Sequence, residues 1–365
     1  MKLLFVNASA IQFDVGTPER APLGGTESAA AYLARQLAAL GHDVTLMSPL
    51  PDGTPDCLMG VRHVPFEPTA FDADFFAAED FDAIIPLSVP ASARHFKQVA
   101  PRALLVSWMH VMPGVPSMLP LQEMTPWIDC AVLVSTYHSA QVRFRGATQV
   151  IGNGIAPVFE NMFGSAEELR AAKQNRAVYT SQPDRGLEVL ADVMAQARLE
   201  TAFDIYSGTS IHQEKADPFM ALYDRIANTP RCHYHGPVAQ AVLAEKLKRA
   251  AFLSYPSIYL ETYCIAALEA IAAGLKVIST NCGALAETTL GFADLIPLPR
   301  VGAVFVENFS LRMEQAERQF LVQPEEWAEE RFAQSQAVNR QCSWAARARE
   351  WEAFLGPAIA WRRSA

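Results

Sequence analysis

The stretch SYPSIYLETYCIAALEAIAAGLKVIST (254–280) reads as a strand, a loop, a helix and a second strand. The apolar run that ends at Pro256 does not alternate, so it suits a strand buried on both faces. From Thr262 the apolar residues recur at helical spacing, Gly274 supplies the stop, and LKVIST opens the next buried strand. Strand–helix–strand units of this kind build a parallel sheet with helices on its faces. Glu261 stands at the mouth of the predicted helix and Glu269 along it, about 12 Å apart were the whole span helical. Two carboxylates so placed suit a ligand with two separated hydroxyl-bearing parts. The backbone N–H groups of Thr262, Tyr263 and Cys264 would then be able to receive a phosphate. The blander alternative is a carboxylate attracted to a helix dipole plus a solvated Glu.

The same alternation runs through the rest of the chain. Upstream, LLFV (3–6) precedes a helical pattern, TESAAAYLARQLAALG, in which Leu33, Leu37 and Leu40 share a face. Strands follow at DVTLMS (43–48), VRHVP (61–65), AIIPLSV (83–89), ALLVSW (103–108), AVLVS (131–135) and TQVIG (148–152). After IGNGIAPVFENMF (151–163) the pattern restarts, with AVYTS (177–181) as its first strand. The expected architecture is α/β, with two doubly wound parallel-sheet domains, 1–154 and 155–340, facing across a cleft. A helix near 342–361 is expected to return to the first domain. Open parallel sheets bind ligands beyond the carboxyl ends of their strands.

The 365 residues suit two cores rather than one. A net charge of -9 lacks the basic footprint of nucleic-acid binding. An acidic chain that binds an anion must use local devices such as helix N-termini and a few placed cations. No apolar run reaches the length of a membrane span, and MKLLFVNASA reads as a buried strand rather than a signal peptide. The six cysteines form no CxxC pair and read as small reduced core residues, which makes the cytoplasm the expected compartment.

Taken in order, several motifs resemble the glycosyltransferase family 4 group of retaining enzymes with the GT-B fold. PLGGTESAAAYLARQLAALGHDVTL resembles its N-terminal glycine loop and first helix, and VIGNGI its interdomain turn. YTSQPDRGLEVL resembles the phosphate-contacting strand and helix start, HYHGPV the loop that holds the base, and TNCGALAET the turn after the donor helix. The resemblance implies sugar transfer from a nucleotide diphosphate sugar, UDP-sugar ahead of GDP-sugar, to a glycan, glycolipid or other acceptor hydroxyl. It points to bacterial surface glycan synthesis, to no cofactor or metal, and to a monomer or homodimer with at most weak peripheral contact at the inner membrane face.

By the same resemblance, Glu261 contacts donor-sugar hydroxyls, Glu269 the ribose, and Arg185 the diphosphate. Ser181, Gly208, Gly236, Val238, Thr262, Tyr263, Cys264 and Gly283 surround the nucleotide. Gly24 and Gly25 open the first helix, which Thr26 is expected to cap, and His110 in SWMHVMPG matches the family's histidine near sugar and acceptor. Departure of the leaving group builds negative charge on phosphate oxygen, which is why such a site needs a cation. The chain departs from the pattern in three ways. Ser181 or Gln182 replaces the first basic residue, with Lys215 as a substitute; Thr262 and Cys264 replace two glycines; and Ala286 replaces a proline. The acidic pairs DAD (72–74) and DFD (80–82) and the histidines His233 and His235 read as structural rather than metal-binding. A nicotinamide-dependent oxidoreductase is disfavoured, because no GxGxxG follows the first strand and no acid ends the second. A silent nucleotide-sugar-binding protein and a nucleotide-sugar epimerase remain as alternatives.

Overall fold

The computed structural model describes residues 1–67, 69, 72–209, 217–297 and 302–364. It divides into two compact units, Met1–Gly154 with Trp344–Ala365, and Ile155–Ser343.

Among the described residues the first unit has eight strands: β1 (Lys2–Val6), β2 (Asp43–Ser48), β3 (Cys57–Leu58), β4 (Val61–Pro65), β5 (Ala83–Pro86), β6 (Leu104–Met109), β7 (Cys130–Leu133) and β8 (Ala147–Val150). Their order is β3-β4-β2-β1-β5-β6-β7-β8. All pairings are parallel except the short β3–β4 pair. Helix α1 (Gly25–Ala39) buries Ala29, Ala30, Ala31, Tyr32, Leu33, Ala34 and Leu37. The run of alanines lets its backbone lie close to its neighbours. Leu40 falls beyond the last turn and is partly exposed, so the predicted leucine face ends at Leu37. The C-terminal helix, Trp344–Ser364, belongs to this unit: Trp344 stacks on Tyr32 and Trp351 meets Trp108 edge-on at 5.0 Å.

The second unit carries β9 (Gln174–Tyr179), β10 (Ala202–Ile205), β11 (Cys232–Tyr234), β12 (Ala250–Tyr255), β13 (Lys276–Thr280) and β14 (Asp294–Ile296). They run β11-β10-β9-β12-β13-β14, and every pairing is parallel. The winding reverses between β9 and β12, which makes the loops leaving those two strands the expected ligand end of the sheet. The helices that matter for the site are α2 (Leu187–Gln196), α3 (Gln240–Arg249) and α4 (Ile265–Ala272).

Two sequence expectations need correction. Helix α4 starts at Ile265, not Thr262, because Cys264 takes a left-handed conformation, φ +75°. The free first-turn amides therefore begin at Ile265, and Thr262, Tyr263 and Cys264 form the loop that leads into them. Cys57 is exposed rather than core, although Cys130, Cys232 and Cys342 are buried as expected. Among the described residues no helix is long and apolar enough to cross a membrane.

Candidate active site

Two loops meet where the second sheet reverses. The chain leaves β9 through Ser181, Gln182 and a tight turn at Pro183–Arg185, and it leaves β12 through Pro256 to Cys264. Gly186 allows the loops to touch: its φ is +123°, and a Cβ there would lie 2.2 Å from the carbonyl oxygen of Pro256. The Ile258 N–H donates to the Arg185 carbonyl at 3.2 Å. This docking sets Arg185 beside the second loop.

Arg185 and Glu261 meet there. Arg185 Nη1 lies 3.0 Å from Glu261 Oε1, and the Tyr255 hydroxyl donates to the same oxygen at 2.5 Å. The guanidinium carbon sits 3.5 Å from the centre of the Tyr259 ring, while Nε faces Asp184 at 3.6 Å. Burial works against the Arg185 charge, but Glu261, Tyr255, Tyr259 and Asp184 outweigh it and hold the group firmly cationic. Burial, reinforced by Glu261, keeps the Tyr255 phenol protonated well above its usual range, so it serves as a donor. Ser181 Oγ lies 3.3 Å from the Tyr255 hydroxyl, so a neutral side chain sits beside the Arg185–Glu261 pair. Lys215, the expected substitute, lies outside the described residues.

A third loop fixes the Glu261 backbone. Gly283 has φ +66°, and a Cβ there would lie 2.3 Å from Glu261 O and 2.4 Å from Glu261 N. Next to it, the Ala284 N–H donates to Glu261 O at 2.8 Å. Thr288 donates its hydroxyl to the Tyr263 carbonyl, which pins the loop ahead of α4.

Glu269 lies on α4 and is 5% exposed. Its Oε1 accepts from the Ala156 N–H and from Gln240 Nε2 at the start of α3, both at 3.3 Å. Of the expected base-side residues, Gly208 packs against Pro237, which lies between Gly236 and Val238; Gly236 has φ +71° with open space around it, and Val238 leads into α3. Ser207 ties this group to the first, donating to the Ser181 carbonyl at 2.6 Å and accepting from the Tyr234 hydroxyl at 2.9 Å.

Burial raises the Glu269 carboxyl to about 8, against a weaker opposing pull from the Ala156 N–H. The folded protein therefore holds a proton that the unfolded chain has released, and stability falls as pH rises from about 4.5 to about 8. Glu269→Gln should remove that slope. Melting temperatures at pH 5 and pH 8.5 test this: the variant should gain on the wild type at the higher pH, and parallel curves would contradict the assignment.

In the first unit Gly24 is the N-cap of α1 and Gly25 its first residue. No side chain caps the helix, so Thr26 does not take the expected capping role. Glu27 is buried in that first turn, and burial raises its pKa. His110 follows β6, with its N–H on the Ser88 hydroxyl at 2.9 Å and its ring 4.4 Å from that of Trp108. Burial first, then His138, pushes His110 down to about 3 despite a hydrogen bond with Asn153. His138, bonded through Nε2 to the Val111 carbonyl at 3.0 Å, is pushed by burial to about 4. Both rings are neutral at neutral pH.

The unfolded chain protonates these histidines near pH 6.5 while the folded chain does not, so stability falls as pH drops from about 6.5 toward 4. Each unit of displacement is worth about 1.4 kcal/mol. His138→Gln should flatten acid unfolding followed by circular dichroism; an unchanged midpoint would refute the role.

The acidic and histidine pairs set aside in the sequence have structural partners. Asp72 caps a helix by accepting from the Asp74 and Phe75 N–H groups, Asp80 pairs with Arg102, and Asp82 pairs with Arg363. His235 Nε2 lies 2.8 Å from Asp204. Among the described residues, no group of three or more His, Cys, Asp or Glu could hold a metal ion.

Sequence reasoning missed Tyr255, Tyr259 and Gln240. Both tyrosines lie within six residues of Glu261, so an aromatic beside a loop carboxylate was a usable signal. Gln240 had none, because its link to Glu269 spans 29 positions and depends on the fold bringing the start of α3 within reach of α4.

Residues 176–297 match the family model described as Glycosyl transferases group 1. In structure the chain is similar to the sucrose-phosphate synthase of Thermosynechococcus elongatus, at 18% identity and TM-score 0.71, covering 99% of this chain and 100% of that one. A glycosyltransferase of Rickettsia africae gives 16% identity and TM-score 0.74, with 98% of each chain covered. Anabaena HepE in complex with UDP-glucose gives 16% and 0.71, covering 98% of this chain and 100% of that one. At these identities the structural likeness establishes the fold alone. No curated protein matches the chain in sequence. The loops just described, from β9 to the turn at Gly283, all fall within the matched segment. The protein has the GT-B fold, and within its second unit residues 176–297 are similar to the group 1 glycosyltransferases.

Proposed function

We propose that the protein transfers a sugar from a nucleoside diphosphate sugar to an acceptor hydroxyl with retention at the anomeric carbon. The second unit takes the donor and the first the acceptor. The observation that carries this reading is the meeting of Arg185 and Glu261 at the sheet reversal, the place where a parallel α/β sheet receives a ligand. In this reading the diphosphate lies on Arg185 and on the amides that begin at Ile265. Glu261 takes sugar hydroxyls and Glu269 the ribose. The bond from the anomeric carbon to phosphate oxygen breaks as the bond to acceptor oxygen forms. The acceptor proton passes to the departing phosphate oxygen, whose charge Arg185 stabilises. His110 is a neutral hydrogen-bonding partner in this scheme, not an acid. No metal or cofactor is invoked.

UDP-glucose in Anabaena HepE makes UDP-sugars the first donors to try. The neutral Ser181 gives support to a second reading, a nucleotide-sugar-binding protein without turnover. A donor-hydrolysis assay over UDP-, GDP- and ADP-sugars separates the two, since slow release of free sugar is expected of the transferase. Glu261→Ala should lower that release by at least tenfold. Binding without release from any donor would favour the second reading, and full activity in Glu261→Ala would remove the first.

A further inference from the structure

Arg185, the cation of the loop that leaves β9, has an anionic partner of its own. Arg185 donates to Glu261, the carboxylate assigned to the sugar, and its Nε faces Asp184. Counted together, Arg185, Glu261 and Asp184 carry a net charge of about -1 at neutral pH, which repels a diphosphate. Of the Glu261 carboxylate, Oε1 is already shared by the guanidinium and the Tyr255 hydroxyl. The contact that does not depend on charge balance is Tyr259. The guanidinium carbon lies over its ring, 3.5 Å from the centre, closer than any other cation–ring pair in the described residues.

We propose that the Arg185–Glu261 ion pair is a resting latch that a nucleoside diphosphate opens, with Tyr259 as the positioning residue that holds the guanidinium during the exchange. This rests on the donor-site reading above. The diphosphate displaces Glu261 as the partner of Arg185, and the freed carboxylate turns to the sugar. Binding of the two halves of the donor is thereby coupled: the diphosphate prepares the sugar contact. A ring face suits the pivot because it attracts a cation without directing any one N–H, so the guanidinium can change hydrogen-bond partners while staying in place. Tyr255 retains Glu261 during the exchange, since its hydroxyl donates whichever partner Arg185 takes.

The latch makes a prediction opposite to that of a simple contact. If Glu261 only touches sugar, it acts on a nucleoside diphosphate without sugar through long-range repulsion alone, which repeating the titration at about 0.5 M salt largely screens. If Glu261 competes for Arg185, Glu261→Gln should bind that ligand more tightly, by at least threefold, even as sugar transfer falls. Calorimetric titration of UDP, GDP and ADP into the full chain reads this directly. Tyr259→Leu should weaken the tightest of the three by at least fivefold, and Tyr259→Phe, which keeps the ring, should stay within twofold of wild type. Melting temperatures of the Tyr259 variants identify any loss of fold, since that residue is only half-buried. Binding to wild type that is unchanged or weaker in Glu261→Gln overturns the latch and leaves the donor reading standing. Equal loss in Tyr259→Phe and Tyr259→Leu overturns the pivot. Failure of all three nucleotides to bind wild type and Glu261→Gln alike removes the donor reading and the latch with it.

Discussion

Gly283→Ala is expected to abolish activity and to destabilise the second unit by about 3 kcal/mol or more. Two independent costs act at this position. Its φ of +66° disfavours any side chain, and the new Cβ would lie 2.3 and 2.4 Å from backbone atoms of Glu261. Neither obstacle is the flexible end of a side chain, so relief requires the two loops to part. Parting them breaks the Ala284 N–H to Glu261 bond and moves the carboxylate away from Arg185 and Tyr255. Gly291→Ala is the matched control: it also has positive φ, +79°, but nothing lies within 4 Å of its Cβ. It should lose only the left-handed backbone cost, about 1–2 kcal/mol, and keep its activity. Chemical denaturation and turnover of both variants decide the matter. Equal losses at the two positions would show that backbone conformation, not loop contact, governs Gly283.

Arg185→Ala is the second large effect, expected to reduce turnover by about 10²–10³-fold, as removal of a preorganised charge-stabilising donor does elsewhere. Among the described residues of that loop, no second Lys or Arg accompanies Arg185. Removing the guanidinium also strands Glu261, 6% exposed, with Tyr255 as its remaining hydrogen-bond donor among those described. A buried pair broken from one side costs about 3–5 kcal/mol; the partial exposure of Arg185 reduces that to roughly 1–3. Arg185→Lys keeps the charge but not the planar fork, so it should recover stability more fully than turnover. If Arg185→Lys restored both equally, geometry at this position would matter less than charge.

The two-unit α/β architecture was legible because buried parallel strands write continuous apolar runs, and β2 and β4 were read to the residue from DVTLMS and VRHVP. Short elements were not. Cys57–Leu58 and Asp294–Ile296 are too brief for any hydrophobic period to register. The start of α4 was misplaced for a different reason. TYCIAALEAIA carries helical spacing from its first residue, but the left-handed turn at Cys264 is set by the surrounding loops, and cysteine gives no sign of it. Arg185 and Glu261 could be named as separate motifs 76 positions apart, and their likeness to a known pattern was what linked them. That they form an ion pair, and that Tyr259 stacks on one partner, depends on loop docking at Gly186 and Gly283, which no spacing encodes.

The neutral histidines add a constraint on chemistry. With its pKa near 3, His110 cannot shuttle protons at neutral pH, so a pH–rate profile with a limb near 6.5 would require another group.

The most direct test is a crystal structure with the nucleotide sugar that gives the largest thermal shift among UDP-, GDP- and ADP-sugars. The expected result is diphosphate oxygens within hydrogen-bond distance of Arg185, sugar hydroxyls on Glu261 and ribose hydroxyls on Glu269. A nucleotide seated elsewhere, with Arg185 and Glu261 still bonded to each other and Glu269 untouched, would contradict it.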